Sequence, residues 1–487
     1  MNARHGRIAG TPCHDAAPMT MRSSAGRHGT CGSVRGRSVA ARPIPSATRQ
    51  RRQERGQTLA VLLPVLVVLV AALWWVLETG EAVAEKQRLR NAADAAALSA
   101  AVWQAKVLNF DAYTNRAIVA NEAVIAQSVS LRGWSAYMDH LLPRASMVTS
   151  AVPYLGTAML YLQRSWSMID RALQPALLAT EGVASALSHD LALAQRAMHA
   201  SVPIVIPRIV QDVVSANDTR YRVTVGGNWM LARSTVDWAD FASFYGGSWR
   251  WRQRDVIQRS MDGFSHQRNF TLSLLPGLPF ARLEKRAGTD MIGFDTWRAI
   301  ETLAIHQRRY VFFGSMRETL PIAWAGVENG ARNRLRGTHG DAFRVNRRTA
   351  LLAERQTRRG ASYLGLPSMW DLSASQRAYF SPPVIIVRLA LHDDDRRGSR
   401  SAWQWGSLQD SEDREVRLGA RSSLPMLVES AATTTFHRSE PRADGAREAP
   451  SLFNPYWRPR LASVPLADRL QLALLDGDPQ WLSGVPR

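Results

Sequence analysis

Hydrophobic and polar positions along this chain follow three successive patterns. The first is an uncharged run, Thr58 to Leu77, TLAVLLPVLVVLVAALWWVL. At ~1.5 Å rise per residue its 20 positions predict a helix of roughly 30 Å, the thickness of a bilayer's hydrocarbon core. The second pattern is a helical stripe. Leu89, Ala93, Ala96, Ala100, Trp103, Val107 and Phe110 recur at spacings of 4, 3, 4, 3, 4 and 3, within a stretch free of Gly and Pro from residue 81 to 132. This predicts a helical stalk that turns near Asn109–Thr114, then a second helix from about Asn115 to Ser130. Further helices are expected over Gln174–Ser201 and Ile204–Ala216, with Pro203 and Pro207 punctuating the start of the last. The third pattern begins near residue 218. Tyr221–Val225 alternates and stops at Gly226-Gly227, and Tyr310–Phe313 and Val384–Leu391 are strand candidates. Asp410–Ala449 is polar and predicts a loop.

The expected architecture is a membrane-anchored chain in four parts. They are a disordered tail (1–55), a transmembrane helix (56–78), a helical region (79–217) and an α+β domain with long loops (218–487). A second uncharged stretch, Ala145 to Gln163, contains Pro153 and Gly156 and is less apolar. It is expected as a buried helix or helical hairpin, and the alternative is a second span.

Charge sets the orientation. Residues 1–55 carry 11 Arg against Asp15 and Glu54, whereas residues 78–144 carry seven basic and seven acidic side chains. The positive-inside rule therefore places the N-terminus in the cytoplasm and the C-terminal part outside it, in the periplasm of a Gram-negative cell. The net charge of +20 is carried almost wholly by arginine, since Lys86, Lys106 and Lys285 are the three lysines among 61 basic residues. With an external location this does not argue for nucleic acid; membrane lipid is the expected anionic partner. The two cysteines, Cys13 and Cys31, both precede the apolar run, so the remainder folds without disulfides.

Candidate chemistry is sparse. Asp371–Ser375 spells D-x-S-x-S, a pattern that coordinates divalent cations through hard oxygens. It follows Pro367-Ser368-Met369-Trp370 rather than an apolar strand, so a helix N-cap or turn is expected. His392–Asp395 is expected as a solvated turn, and Trp249–Arg252 as a strand or surface patch. No phosphate-binding glycine loop, H-E-x-x-H or G-x-S-x-G occurs, and the 11 histidines are scattered. No catalytic, cofactor or metal site is assigned, and no enzyme activity is expected.

The span and the alanine-rich segment after it resemble the N-terminal module of the TadE/TadG-like family of Flp (tight adherence) pilus assembly proteins. The residues that carry the resemblance are Arg55, Gly56 and Gln57 before the span, then Leu63 and Pro64 within it. After a short charged segment come Leu89, Ala92, Ala93, Asp94, Ala95, Ala96, Ala97 and Leu98. The segments Tyr113–Ala117 and Ser451–Leu461 resemble features of a longer TadG-related subgroup. The resemblance implies a non-enzymatic, single-pass inner-membrane component of pilus assembly or secretion machinery, whose partners are other proteins of that machinery. The alternative is a membrane-anchored periplasmic enzyme or a glycan- or envelope-binding protein. Small residues at Ala93, Ala96 and Ala100 suit close helix association, so a homo-oligomer through the stalk is also expected. Cleavage after Gly56, as in prepilins, is disfavoured because Val61 stands where those substrates place Glu.

Overall fold

The computed structural model describes residues 57–152, 154–244, 250–273, 280–308, 314–331, 340–392 and 425–477. By contacts the chain divides into two units, Met1–Leu73 and Trp74–Arg487. The described part of the first unit is helical, and its side chains from Val61 to Leu73 are all exposed. It opens helix α1, which runs Gln57–Thr149.

In the second unit α1 is a central element rather than a stalk. From Leu89 onward it is buried along most of its surface (Ala93, Ala96, Ala97 and Ala100 are fully buried), so only a short stretch after the apolar run lies outside the core. Helix α2 (Leu155–Asn217) returns beside it. The remaining described elements are β1 (Arg222–Val223), α3 (Val225–Phe241), β2 (Ala242–Phe244), α4 (Arg250–Ser260), α5 (Gly263–His266), β3 (Phe270–Ser273), β4 (Ala281–Ile292), β5 (Thr296–Arg308), β6 (Met316–Gly330), α6 (Gly340–Val345), α7 (Arg347–Arg355), β7 (Arg358–Gly360), β8 (Trp370–Leu372), α8 (Ala374–Ala378), β9 (Val384–Leu391), β10 (Met426–Phe436), β11 (Trp457–Ala462) and α9 (Leu466–Leu475).

Two main sheets use α1 as a shared core. The four-stranded sheet β1-β9-β10-β11 is antiparallel throughout. Its Ile385, Val387, Leu389 and Ala432 pack in one cluster with Leu89–Leu108 of α1 and Val202, Ile206 and Val210 of α2. The five-stranded sheet β3-β4-β5-β6-β7 is antiparallel except for its parallel β6–β7 edge. Its Met291, Trp297, Ala299 and Val327 pack with Ile125, Val129 and Tyr137, further along α1. Gly133 marks the closest approach, because a Cβ built there would lie 2.9 Å from the Ala299 Cβ on β5. The pair β2–β8 is separate.

Several expectations are corrected. Helix α1 does not turn at Asn109–Thr114. The weak helix formers there have tertiary partners: Asn109 bonds the backbone of Trp457, and the Thr114 hydroxyl accepts from the Gln195 side chain of α2. Nor do Pro203 and Pro207 start a new helix, for both lie inside α2. Its buried stripe, Val202, Ile206, Val210 and Val214, passes unbroken through that region while Pro203 stays on the exposed face. Packing thus outweighs the lost backbone bonds.

Ala145–Gln163 forms a hairpin tip, divided between the end of α1 and the start of α2, and it is largely exposed rather than buried. Among the described residues, α1 alone is long and apolar enough to cross a membrane. Gly226-Gly227 do not stop a strand. They form the first turn of α3, where Thr224 caps the helix by accepting from the Gly227 N–H. Within the segment expected as loop, Met426–Phe436 is instead strand β10, held between β9 and β11. Val384–Leu391 is strand β9, as its apolar run predicts. Arg250–Arg252 begins a helix, not a strand. Tyr310–Phe313, Trp249 and Asp393–Asp395 lie outside the described residues.

Candidate functional site

The motif residues separate into two groups. Arg55 and Gly56 lie outside the described residues, Gln57 opens α1, and Pro64 is within its exposed apolar part. Leu89, Ala92, Ala93 and Ala97 are buried against the four-stranded sheet. Asp94 is half-buried and accepts a 2.5 Å hydrogen bond from the Ser430 hydroxyl of β10. Alanines leave room for a neighbouring element, and here the neighbours belong to the chain itself. The face expected to mediate stalk association, Ala93, Ala96 and Ala100, is therefore filled from within.

A second constellation lies further along the same helix. Asn109 accepts from the Trp457 N–H at 3.1 Å and donates to the Trp457 carbonyl at 2.9 Å. Asn115 donates to the carbonyls of Trp370 and Leu452, each at 2.7 Å. Both therefore fix backbone more than 250 residues away. Tyr113–Ala117 and Ser451–Leu461, distant in sequence, meet through the Asn115–Leu452 bond.

Between them lies a buried polar seam. Gln195 of α2 donates to the Thr114 hydroxyl at 2.6 Å and to the Asn115 side-chain oxygen at 2.8 Å. His199, also on α2, pairs through Nε2 with Asp111 Oδ2. Its ring stacks on Trp370 at 3.9 Å and faces Trp238 at 5.1 Å. Burial pushes the Asp111 carboxyl up, while the hydrogen bond and charge of His199 oppose that shift. Asp111 Oδ1, Gln195 Oε1 and both side-chain polar atoms of Gln104 are buried without a hydrogen-bond partner among the described residues.

An Asp–His pair invites comparison with hydrolytic triads. The arrangement here differs, since no Ser, Thr or Cys side chain is hydrogen-bonded to His199 among the described residues, and aromatic rings cover its faces. The pair ties α1 to α2 and packs against Trp370, while Asn115 holds the segment around Leu452. In the D-x-S-x-S segment Ser373 occupies the N-cap position of α8 without a capping bond from its side chain, which instead meets the Ser375 hydroxyl at 3.0 Å, and Asp371 is buried, accepting from the Leu372 N–H at 2.8 Å. No cluster of metal-binding side chains occurs among the described residues.

Carboxylates pin the rest of α1 to the five-stranded sheet. Glu122 accepts from Trp297 Nε1 and from the Tyr363 hydroxyl, both at 3.0 Å. Its burial raises the carboxyl to about 7 against those two bonds. Arg132 pairs with Glu181 of α2 at 2.9 Å, and Ser130 bonds Thr289 of β4 at 2.7 Å. On the same sheet Glu301 sits between Lys285 and Arg268, each at 2.6 Å. Burial alone would raise that carboxyl, but the two cations hold it below its usual value.

Of these residues, sequence reading singled out Asp94 and the stretch containing Asn115. It read Asn109 and Asp111 as part of a turn, and it missed Gln195 and His199. Asp111 and His199 stand 88 positions apart, and no local spacing joins them.

The family model for putative Flp pilus-assembly TadE/G-like proteins matches residues 56–104. No curated protein and no solved structure matches the chain.

Proposed function

We propose that this chain, whose residues 56–104 carry a TadE/G-like module, is a non-enzymatic, single-pass inner-membrane component of Flp-type pilus assembly or an associated secretion machinery. The observation that carries the reading is one helix with two kinds of surface. From Val61 to Leu77 every side chain is exposed and none is charged, whereas from Leu89 the same helix is buried in its own domain. An exposed apolar run of that length is costly in water, at about 1.5–3 kcal/mol for each large side chain, and favourable in lipid. Lipid is thus the first partner. The arginine excess before the run orients the N-terminus to the cytoplasm and the folded part to the periplasm. The module's alanine face is taken up internally, so partners in the machinery, or a second copy of this chain, meet other surfaces of the domain.

Two experiments test this. Protease added to spheroplasts is expected to digest a C-terminally tagged chain and to leave it intact in closed inverted vesicles. Affinity purification from detergent-solubilised inner membranes is expected to recover other pilus-assembly proteins. Recovery of the chain as a soluble, unassociated protein would overturn the reading.

A further inference from the structure

Outside the N-terminal apolar run, the described residues expose a broad apolar surface at the tip where α1 turns into α2. Met147, Val148, Tyr154 and Tyr161 are 76%, 80%, 90% and 71% exposed. Val152, Leu155, Leu160 and Leu162 lie among them, each between 45% and 50% exposed. In water such a patch is a liability unless something covers it. The turn is a built one: the Gly156 N–H donates to the Val152 carbonyl at 3.2 Å, and the Ser146 hydroxyl reaches Gln163 of α2 at 2.8 Å. Tyr154 holds a φ of 66°, the left-handed region that a bulky residue rarely adopts. That conformation places an aromatic ring, rather than a glycine, at the apex.

Charge around the tip is one-sided. No acidic residue occurs between Asp139 and Asp170, while Arg144 and Arg164 flank the uncharged stretch. The two bounding carboxylates are already neutralised, since both pair with Arg358, at 3.2 Å and 2.6 Å. An apolar apex with exposed tyrosines, a basic margin and no acidic residue within the hairpin segment itself suits the interface of a bilayer bearing anionic headgroups. A protein groove would more commonly be matched by charges of both signs at its rim.

We infer that the α1–α2 hairpin tip inserts into the surface of an anionic phospholipid bilayer. The tip's affinity for lipid stands without the anchor.

The test uses the full chain reconstituted in nanodiscs, mixed with separate vesicles of phosphatidylcholine containing phosphatidylglycerol. The nanodisc-borne chain is expected to float with the anionic vesicles. The double variant Val148→Asp, Tyr154→Asp is expected to lower that partitioning by on the order of tenfold or more, and Arg164→Glu by a smaller factor. All these side chains are exposed, so thermal unfolding should stay unchanged and report correct folding. Absence of flotation, equal flotation of the double variant, or a cross-linker at position 148 that captures a protein while lipid binding is absent would each overturn the inference. Failure of the chain to enter nanodiscs would instead count against the anchor, so the two readings fail separately.

Discussion

Burying a single ionisable side chain carries an electrostatic cost in this molecule. Glu122 is the clearest case, since its folded carboxyl titrates near 7 rather than 4.5. Between those values the native state keeps a proton that the unfolded state has lost, so rising pH favours unfolding. That difference corresponds to roughly 3 kcal/mol of stability present below pH 4.5 and lost as pH rises toward about 7. Glu122→Gln keeps an acceptor for Trp297 and Tyr363 but removes the titration. The variant is expected to show a shallower fall of the urea midpoint between pH 5 and pH 7; an unchanged slope would contradict this account. Asn115 illustrates a different cost. Asn115→Ala leaves the buried carbonyls of Trp370 and Leu452 without their donor, and a loss of about 2–4 kcal/mol is expected in equilibrium unfolding.

At the scale of elements, α1 determines the outcome, and its glycines report its two environments. A Cβ at Gly80 meets nothing within 4 Å, so Gly80→Ala should gain about 0.5–1 kcal/mol of local helix stability, visible as slower amide exchange around residue 80. The same change at Gly133 drives a methyl group toward the short, inflexible Ala299 side chain. Gly133→Ala is expected to cost about 1–3 kcal/mol despite the better helix propensity of alanine. Opposite signs for one substitution in one helix would show that the first glycine is free and the second is a packing requirement. Neither role could be read locally, because both glycines lie in sequence of similar helical character.

For the folded unit as a whole, the C-terminal segment closes the core. Leu452 and Trp457 belong to the cluster built around Leu89–Leu108, and β11 completes the sheet that covers the motif helix. Truncation after Pro450 removes these together and is expected to leave the remaining domain sensitive to limited proteolysis under conditions where the full chain resists it. Resistance of the truncated chain equal to that of the full chain would show that the first cluster forms without them.

Local pattern sufficed for the apolar run, the asymmetry of charge around it, the helical stripe from Leu89 to Phe110 and the strand Val384–Leu391. Each depends on residues close together in the chain, where period and charge act directly. The module also lies in one contiguous segment, so its pattern was legible without a fold. What the stripe packs against emerges from the fold. Alanine at Ala93, Ala96 and Ala100 permits close approach but does not name the neighbour, and here the three share a cluster with α2, β9 and β10, all far later in the chain. The same holds for the Asp111–His199 pair and the asparagine clamps, whose partners are joined by packing rather than spacing. It holds also for the unbroken passage of α1 through Asn109–Thr114, where local propensity favoured a turn and long-range hydrogen bonds outweighed it.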